Sequence, residues 1–275
     1  MASRSSMLVG VLQYAPAFGD VRGNLEKLEA MIAPMRAELF VAPELALSGY
    51  TFESREEAAA LAQDPAGAEF DGLARVARAK GAAIILGFAE RAGSLVFNSS
   101  VLIAPDGSRS VYRKIHLFDR EKLVFTPGDR PPAIVEVAGV RIGMMICFDW
   151  IFPELARSLA IQGADILCHP ANLVLPYCQD AMITRCIENR LFAITSNRTG
   201  VEERAGQRLT FTGMSQIVAQ NGRVLARASG DRDEVLLVEI APLDAREKWV
   251  TAANHVLADR RPLLYTLGAV ETPER

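Results

Sequence analysis

Three side chains in this sequence have the chemistry of acyl transfer, and each stands where a strand gives way to a turn. Cys147 follows the apolar run Val140-Arg141-Ile142-Gly143-Met144-Met145-Ile146 and precedes Phe148-Asp149-Trp150-Ile151-Phe152-Pro153-Glu154. Glu44 follows Val41-Ala42-Pro43, and Lys114 follows Tyr112-Arg113. A thiol is a strong nucleophile only when a neighbour takes its proton or stabilises its thiolate. A carboxylate accepts such a proton, and a lysine stabilises the oxyanion formed when sulfur attacks a carbonyl. The backbone N–H of Phe148 is a second candidate donor to that oxygen. These groups suit acyl transfer through a thioester, with water as the second acceptor. Taken singly, each has a plainer reading: a buried cysteine is usually a small core residue, and a glutamate or lysine in a turn is usually solvated. Only the combination, each residue in its local context, argues for a site.

The elements that must position these residues alternate between strand and helix. Strands are expected over Leu8–Tyr14, Glu38–Ala42, Ala82–Ala89, Leu95–Ala104 and Ser110–Ile115, then over Ala133–Val137, Val140–Ile146, Asp165–His169 and Ala193–Asn197. Met214–Ala219 and Arg223–Ala228 form a hairpin about Asn221-Gly222, and Glu234–Ile240 is the final strand. Val21, Leu25, Leu28 and Ile32 recur at helical spacing, as do Phe70, Leu73, Val76 and Ala77 before Gly81. Pro153 and Glu154 suit the first turn of a helix running to Gly163. A further helix spans Ala181–Phe192, with Ile183, Ile187 and Leu191 on one face. Crossovers mixed with hairpins imply α/β folding with mixed sheets and helices on one face of each. Two such sheets packed face to face form a four-layer αββα sandwich. The three loops expected to shape a pocket are Thr51–Ala68, Leu117–Pro132 and Leu173–Asp180.

The 275 residues are 50% hydrophobic and 23% charged, an ordinary globular composition, and no low-complexity linker divides them. One domain over 1–275 is expected, with a core over about 7–240 and a C-terminal tail, 241–275, available to a dimer contact. A net charge of −3, with acidic and basic residues interspersed, argues against nucleic acid as a partner. No apolar stretch reaches membrane-spanning length, and Leu8–Leu12 is too short for a signal peptide. The cysteines, Cys147, Cys168, Cys178 and Cys186, sit close together in one segment. Disulfides are not expected, and the cytoplasm is the expected compartment. No C-x2-C pair supports zinc or thiol redox chemistry, and no P-loop or G-x-G-x-x-G pattern supports nucleotide binding. No cofactor and no metal is expected.

Three blocks carry a family resemblance: Pro43-Glu44-Leu45 with Ser48-Gly49-Tyr50; Tyr112-Arg113-Lys114-Ile115-His116-Leu117-Phe118; and Cys147 through Glu154. They closely resemble, in order and spacing, the signature blocks of the nitrilase (carbon–nitrogen hydrolase) superfamily. The resemblance runs from Val9 to Arg260-Arg261-Pro262-Leu263-Leu264-Tyr265. It implies the αββα sandwich, commonly paired into a homodimer. It implies Glu44 as general base, Lys114 as stabiliser of the tetrahedral intermediate and Cys147 as nucleophile. Glu121 matches a second family glutamate that holds the lysine and orients the substrate; its plainer reading is a solvent-facing loop charge. His116 matches an orienting position.

Other residues leave alternatives open. Asn172, after His169-Pro170-Ala171, either contacts substrate or caps its loop, and Trp150 either lines the pocket or belongs to the core. Tyr50 and Tyr177 pose the same choice. Nitrilases proper typically carry Trp-Glu after the nucleophile, whereas this sequence has Phe148-Asp149. That departure favours an amidase acting on a small aliphatic primary amide. The alternatives are a nitrilase for small aliphatic nitriles, an N-carbamoyl amine or ω-amide hydrolase, and more remotely a non-catalytic, partner-binding member. An N-carbamoyl substrate needs a charged partner in the pocket, for which Arg190, Arg198 and Glu188 are the candidates.

Overall fold

The computed structural model describes residues 6–204 and 206–268. The first half runs β1 (Met7–Gln13), α1 (Val21–Ile32), β2 (Leu39–Val41), α2 (Arg55–Ala60), α3 (Asp71–Lys80), β3 (Ala83–Ala92), β4 (Leu95–Ile103), β5 (Arg109–Arg113) and α4 (Glu121–Val124). The second runs β6 (Ile134–Val137), β7 (Val140–Met144), α5 (Pro153–Ile161), β8 (Ile166–Pro170), α6 (Cys178–Asn189) and β9 (Phe192–Ser196). It continues with β10 (Val201–Arg204), β11 (Gln207–Thr210), β12 (Gln216–Val218), β13 (Val224–Arg227), β14 (Glu234–Ile240), β15 (Trp249–Thr251) and β16 (Asn254–His255).

Two mixed six-stranded sheets result, ordered β14-β1-β2-β3-β4-β5 and β13-β12-β9-β8-β7-β6. In each, three central strands run parallel (β1, β2, β3 and β7, β8, β9), and antiparallel strands flank them on both sides. Period-two alternation directs the packing of the first sheet. Val9, Val11, Leu39, Val41, Ala83 and Ile85 enter the core shared with Ile142, Met144, Ile166 and Ile194 of the second sheet. Their neighbours Leu12, Phe40, Ile84 and Leu86 face Leu28 and Ile32 of α1 and Leu73 and Ala77 of α3. On the far side Leu155 and Leu159 of α5 and Met182 and Cys186 of α6 cover the second sheet. Layer by layer this is an αββα sandwich. Each fully buried Val, Leu or Ile contributes about 1.5–3 kcal/mol.

The expected strands and helices are present to within a few residues, and the departures have physical causes. Helix α6 begins at Cys178 and ends at Asn189, and buries Cys178, Met182 and Cys186. The expected face of Ile183, Ile187 and Leu191 is not the buried one: Ile187 is exposed, and Leu191 lies past the helix. Arg190, in a left-handed conformation (φ 48°), ends the helix first. Glu234–Ile240 is not the final strand, because β15 and β16 pair beyond it. Nor is 241–248 simply tail: Ala245 is fully buried, and Lys248 Nζ donates to the carbonyls of Asn189 and Arg190, each at 2.9 Å. The end of the expected tail, 269–275, lies outside the described residues. The loop 51–68 contains α2, capped by Ser54, whose Oγ accepts the Glu57 N–H at 3.2 Å. The ribbon β10–β11 joins neither sheet.

A close backbone approach fixes the turn that carries Glu44. Gly87 of β3 exchanges hydrogen bonds with the turn after β2, donating to Pro43 O at 2.9 Å and accepting from Ala46 at 2.8 Å. A Cβ on Gly87 would lie 2.4 Å from Glu44 Cα. Gly87→Ala should therefore cost about 1–3 kcal/mol by overpacking against backbone. Gly230→Ala, whose methyl meets nothing nearer than 3.4 Å, should stay within about 0.5 kcal/mol of wild type. Denaturant midpoints measure both, and equal midpoints for the two variants would mean that the Glu44 turn does not need a glycine beside it.

Candidate active site

Glu44 sits in the turn after β2, and Leu45 beside it adopts a left-handed conformation (φ 46°). Lys114 is the first residue past β5, kept in line with β4 by its N–H to Asn98 O at 2.8 Å. Its ammonium donates to Glu44 Oε1 at 2.6 Å and to Glu121 Oε1 at 2.8 Å. The side chains of Lys114 and Glu44 are fully buried, and that of Glu121 is 4% exposed. Glu121 is thus no solvent-facing loop charge. Further donors surround the two carboxylates. Asn98 Nδ2 reaches Glu44 Oε1 at 2.7 Å, Tyr50 Oη reaches Glu121 Oε1 at 2.6 Å, and the Phe118 N–H reaches Glu121 Oε2 at 3.3 Å. Glu44 Oε2 is buried and has no partner among the described residues.

The electrostatics follow from this arrangement. Burial alone would lower the Lys114 pKa, but Glu121 and Glu44 outweigh it and hold the ammonium above the ordinary lysine value. Burial raises the Glu44 carboxyl, Lys114 pulls it back down, and Glu121 pushes it up, leaving it above the usual glutamate range.

Cys147 comes from the other sheet. The chain leaves β7 with the Met145 N–H on Cys168 O at 3.1 Å, then enters a tight 3-10 turn over Cys147–Ile151. Cys147 itself has φ 41°, left-handed and strained for a residue with a Cβ. Asp149 clamps this turn. Its carboxylate accepts the Ile146 N–H at 2.9 Å and Tyr112 Oη at 2.8 Å, and from His116 the backbone N–H at 3.2 Å and Nδ1 at 2.8 Å. Tyr112 and His116 flank Lys114, so Asp149 locks the nucleophile turn to the lysine segment. The His116 ring stacks on Phe152 at 3.7 Å between centroids. On the opposite side His169 Nε2 lies 2.9 Å from Cys147 O, and its Nδ1 lies 3.2 Å from Thr195 Oγ1. A carbonyl only accepts, so Nε2 carries the proton. Burial lowers the His169 pKa to about 4, which keeps the ring neutral at pH 7. Burial raises the Cys147 thiol well above the ordinary cysteine value, Glu44 adds to this, and Lys114 opposes it. The Asn172 backbone N–H also opposes the rise, to a smaller degree.

A pocket of about 240 Å³, open solvent at its mouth included, lies over Cys147. Phe118, Phe148, Trp150, Leu173, Val174 and Leu175 wall it, and Asn172 is its other polar side chain. The Asn172 side chain does not cap its loop, since its Nδ2 and Oδ1 are both buried without a partner among the described residues. Asn197 Oδ1 holds the loop instead, accepting the Leu173 N–H at 2.8 Å. Trp150 both lines the pocket and belongs to the core. Tyr177 is 62% exposed and lines none of this pocket. Arg190, Arg198 and Glu188 are absent from its walls as well: Arg190 donates to Glu247 O, Arg198 pairs with Glu202, and Glu188 pairs with Arg185. A second cleft opens past Phe118, bounded by Tyr50, Glu121 and Gln207 of the β10–β11 ribbon.

The site thus gathers Glu44, Lys114, Glu121, Cys147, Phe148, Trp150 and Asn172. Sequence reasoning missed Asp149 and Asn98. Both left a signal: a carboxylate two residues from the thiol, and the polar run Asn98-Ser99-Ser100 inside an apolar strand. Cys168, Cys178 and Cys186 are buried free thiols, and no cluster of three or more His, Cys, Asp or Glu among the described residues could hold a metal.

The sequence model described as carbon–nitrogen hydrolase matches residues 8–248. A nitrilase of Pyrococcus abyssi is 42% identical over 94% of this chain and 98% of its own length. An (R)-stereoselective amidase of Pseudomonas is 36% identical, covering 94% of this chain and 93% of its own. Among solved structures, a CN-hydrolase superfamily protein of Xanthomonas campestris, carrying an arsenic adduct in its active site, superposes with a TM-score of 0.79 at 26% identity. That match covers 89% of this chain and 94% of the other. By sequence over nearly its whole length, and by fold, the protein belongs to the carbon–nitrogen hydrolases of the nitrilase superfamily.

Proposed function

We propose that this carbon–nitrogen hydrolase is an amidase that converts a small aliphatic primary amide to its acid and ammonia. The observation that carries the reading is the buried Lys114 ammonium bonded to Glu44 and Glu121, with the Cys147 thiol within their electrostatic reach. The thiol is protonated at neutral pH, so its activation needs a base in the transition state rather than a preformed thiolate. Glu44 is that base, and its unpartnered Oε2 supplies a free lone pair. Sulfur attacks the amide carbon as the proton passes to Glu44. The carbonyl oxygen becomes an oxyanion beside Lys114 and the Phe148 N–H. Glu44 then returns its proton to the departing nitrogen, the C–N bond breaks, and ammonia leaves a thioester on Cys147. Water attacks the thioester with Glu44 again as base, and the acid departs as sulfur regains its proton. Asn172, with a donor and an acceptor unmet, contacts the bound substrate.

The choice of amide over nitrile rests on Phe148-Asp149 in place of Trp-Glu. Similarity to the Pyrococcus nitrilase favours a second reading, in which the same cysteine adds to a small aliphatic nitrile.

Cys147→Ala should abolish ammonia release from amides and nitriles alike while the melting temperature stays near wild type; residual turnover in the folded variant would remove the thiol from the mechanism. Lys114→Ala should lower kcat by about a hundredfold or more. Because the change strands two buried carboxylates, circular dichroism on the same sample must confirm the fold. Near-normal kcat in folded protein would refute the oxyanion role. The acid limb of the kcat/KM profile should report Glu44, which must be ionised to accept the thiol proton. Since its pKa is raised, activity should fall with decreasing pH at a midpoint above 4.5. A midpoint at or below 4.5, measured across a buffer series with a substrate that does not titrate, would exclude Glu44 as the controlling base.

A further inference from the structure

We propose that the acyl side of this site accepts only uncharged chains, so that the substrate class is primary amides, or the corresponding nitriles, whose short chain ends in an apolar or neutral group. The inference rests on the reading of Cys147 as the nucleophile and goes past it, because it concerns what the pocket walls can solvate.

A substrate whose carbonyl carbon meets the sulfur places its chain in the pocket that Cys147 opens into. The six residues that wall it are aromatic or aliphatic. Among its lining residues Cys147 is the only one that titrates. The remaining polar side chain, Asn172, is neutral, 2% exposed and unpaired at both polar atoms, so it offers one donor and one acceptor but no counter-ion. The cations behind these walls are already engaged, and Arg120 lines the other cleft, past Phe118. Lys114 is bonded to two carboxylates. Arg185, behind Trp150, donates to the Trp150 carbonyl at 3.2 Å and pairs with Glu188 at 2.8 Å. Arg198 is buried against Glu202.

A chain ending in carboxylate would exchange water for apolar walls and would face two carboxylates for one ammonium at the inner end. A chain ending in ammonium would find at most the Asn172 Oδ1. Burying an unpaired ion costs far more than burying a methyl group. Dicarboxylic ω-amides, N-carbamoyl amino acids and N-carbamoyl diamines are therefore excluded by the same walls that favour an alkyl chain. Leu175, 38% exposed at the mouth, is the wall residue where a charge could be introduced while its head stays in water.

The test uses three amides that share a two-methylene spacer: butyramide, succinamate and 3-aminopropanamide, which end in methyl, carboxylate and ammonium. The three corresponding nitriles are run beside them. Purified wild type should show kcat/KM for both charged members of a set at least ~100-fold below the neutral one. Values within tenfold of each other would overturn the inference while leaving the cysteine chemistry standing. Silence on all six compounds from folded protein would instead overturn the small-chain hydrolase reading and this inference with it. Leu175→Arg should raise the succinamate-to-butyramide ratio of kcat/KM by about tenfold or more, since it supplies the missing counter-ion. An unchanged ratio in folded Leu175→Arg would mean that the chain does not lie in this pocket.

Discussion

Burying the Lys114 ammonium away from water is unfavourable by several kcal/mol unless carboxylates are fixed against it, and leaving either sign unpaired costs about 3–5 kcal/mol. Much of the local fold follows from that constraint. Glu44 must arrive from β2, Lys114 from β5 and Glu121 from the start of α4, and each must stop within hydrogen-bond distance of the others. Asn98 and Tyr50 then occupy lone pairs that the ammonium leaves free. Phe52, Val124 and Phe125, with Ala58 of α2 and Ala62 just after it, form a separate apolar cluster over this side, shielding the charges from solvent. A charge cluster so enclosed is electrostatically strong because little water screens it.

The second constraint is conformational. Leu45 and Cys147 both hold left-handed backbone, at about 1–3 kcal/mol each for residues other than glycine. Such strain persists only where the surroundings over-determine it. Around Leu45 the determinants are the two hydrogen bonds to Gly87 and the absence of a side chain there. Around Cys147 they are Asp149, which gathers donors from Ile146, Tyr112 and His116, and neutral His169 on the carbonyl. Tyr112 belongs to one sheet and Asp149 follows a strand of the other, so the bond between them holds the lysine and the thiol in one frame across the sandwich.

The periodic elements are legible in the sequence because burial imposes a period on it. Val9, Val11, Leu39 and Val41 alternate with Leu12 and Phe40 as a strand between two layers must. The illegible parts lie where burial does not set a pattern. The β10–β11 ribbon belongs to neither sheet and reads Val-Glu-Glu-Arg and Gln-Arg-Leu-Thr, with no continuous apolar side. Helix α2 is only six residues long, although Ser54 and Glu57 offer a capping signal. On α6 the isoleucines imitate a buried face as long as cysteine is weighed as chemistry rather than packing; Cys178, Met182 and Cys186 fill the true one. Glu44, Lys114 and Cys147 are legible through their local context. Asp149 and Asn98 are not, because a positioning residue is known by its partners, and the fold brings His116 to Asp149 from 33 positions away and Glu44 to Asn98 from 54.

The same charge cluster suits the proposed chemistry to a pocket walled by apolar side chains. In the proposed reaction the Lys114 ammonium is paired with the carboxylates of Glu44 and Glu121 and the thiol keeps its proton, so the cluster carries one negative charge. In the proposed reaction the proton moves from sulfur to Glu44 and the negative charge moves to sulfur, so the total is unchanged. Attack passes that charge to the oxyanion beside Lys114, and departure of ammonia returns it to Glu44. No step creates or removes net charge in the buried volume. The ion desolvation that makes such sites costly is therefore met once, at folding, and the fixed dipoles and ions need no reorganisation as charge shifts by a few ångströms. A base placed in solvent would instead draw charge out of the site at every turnover. In the proposed reaction the enclosure of Glu44 and its raised pKa thus serve one purpose: the carboxylate takes the thiol proton, passes it to the leaving ammonia, and the attacking water replaces it without any net charge entering or leaving the cluster.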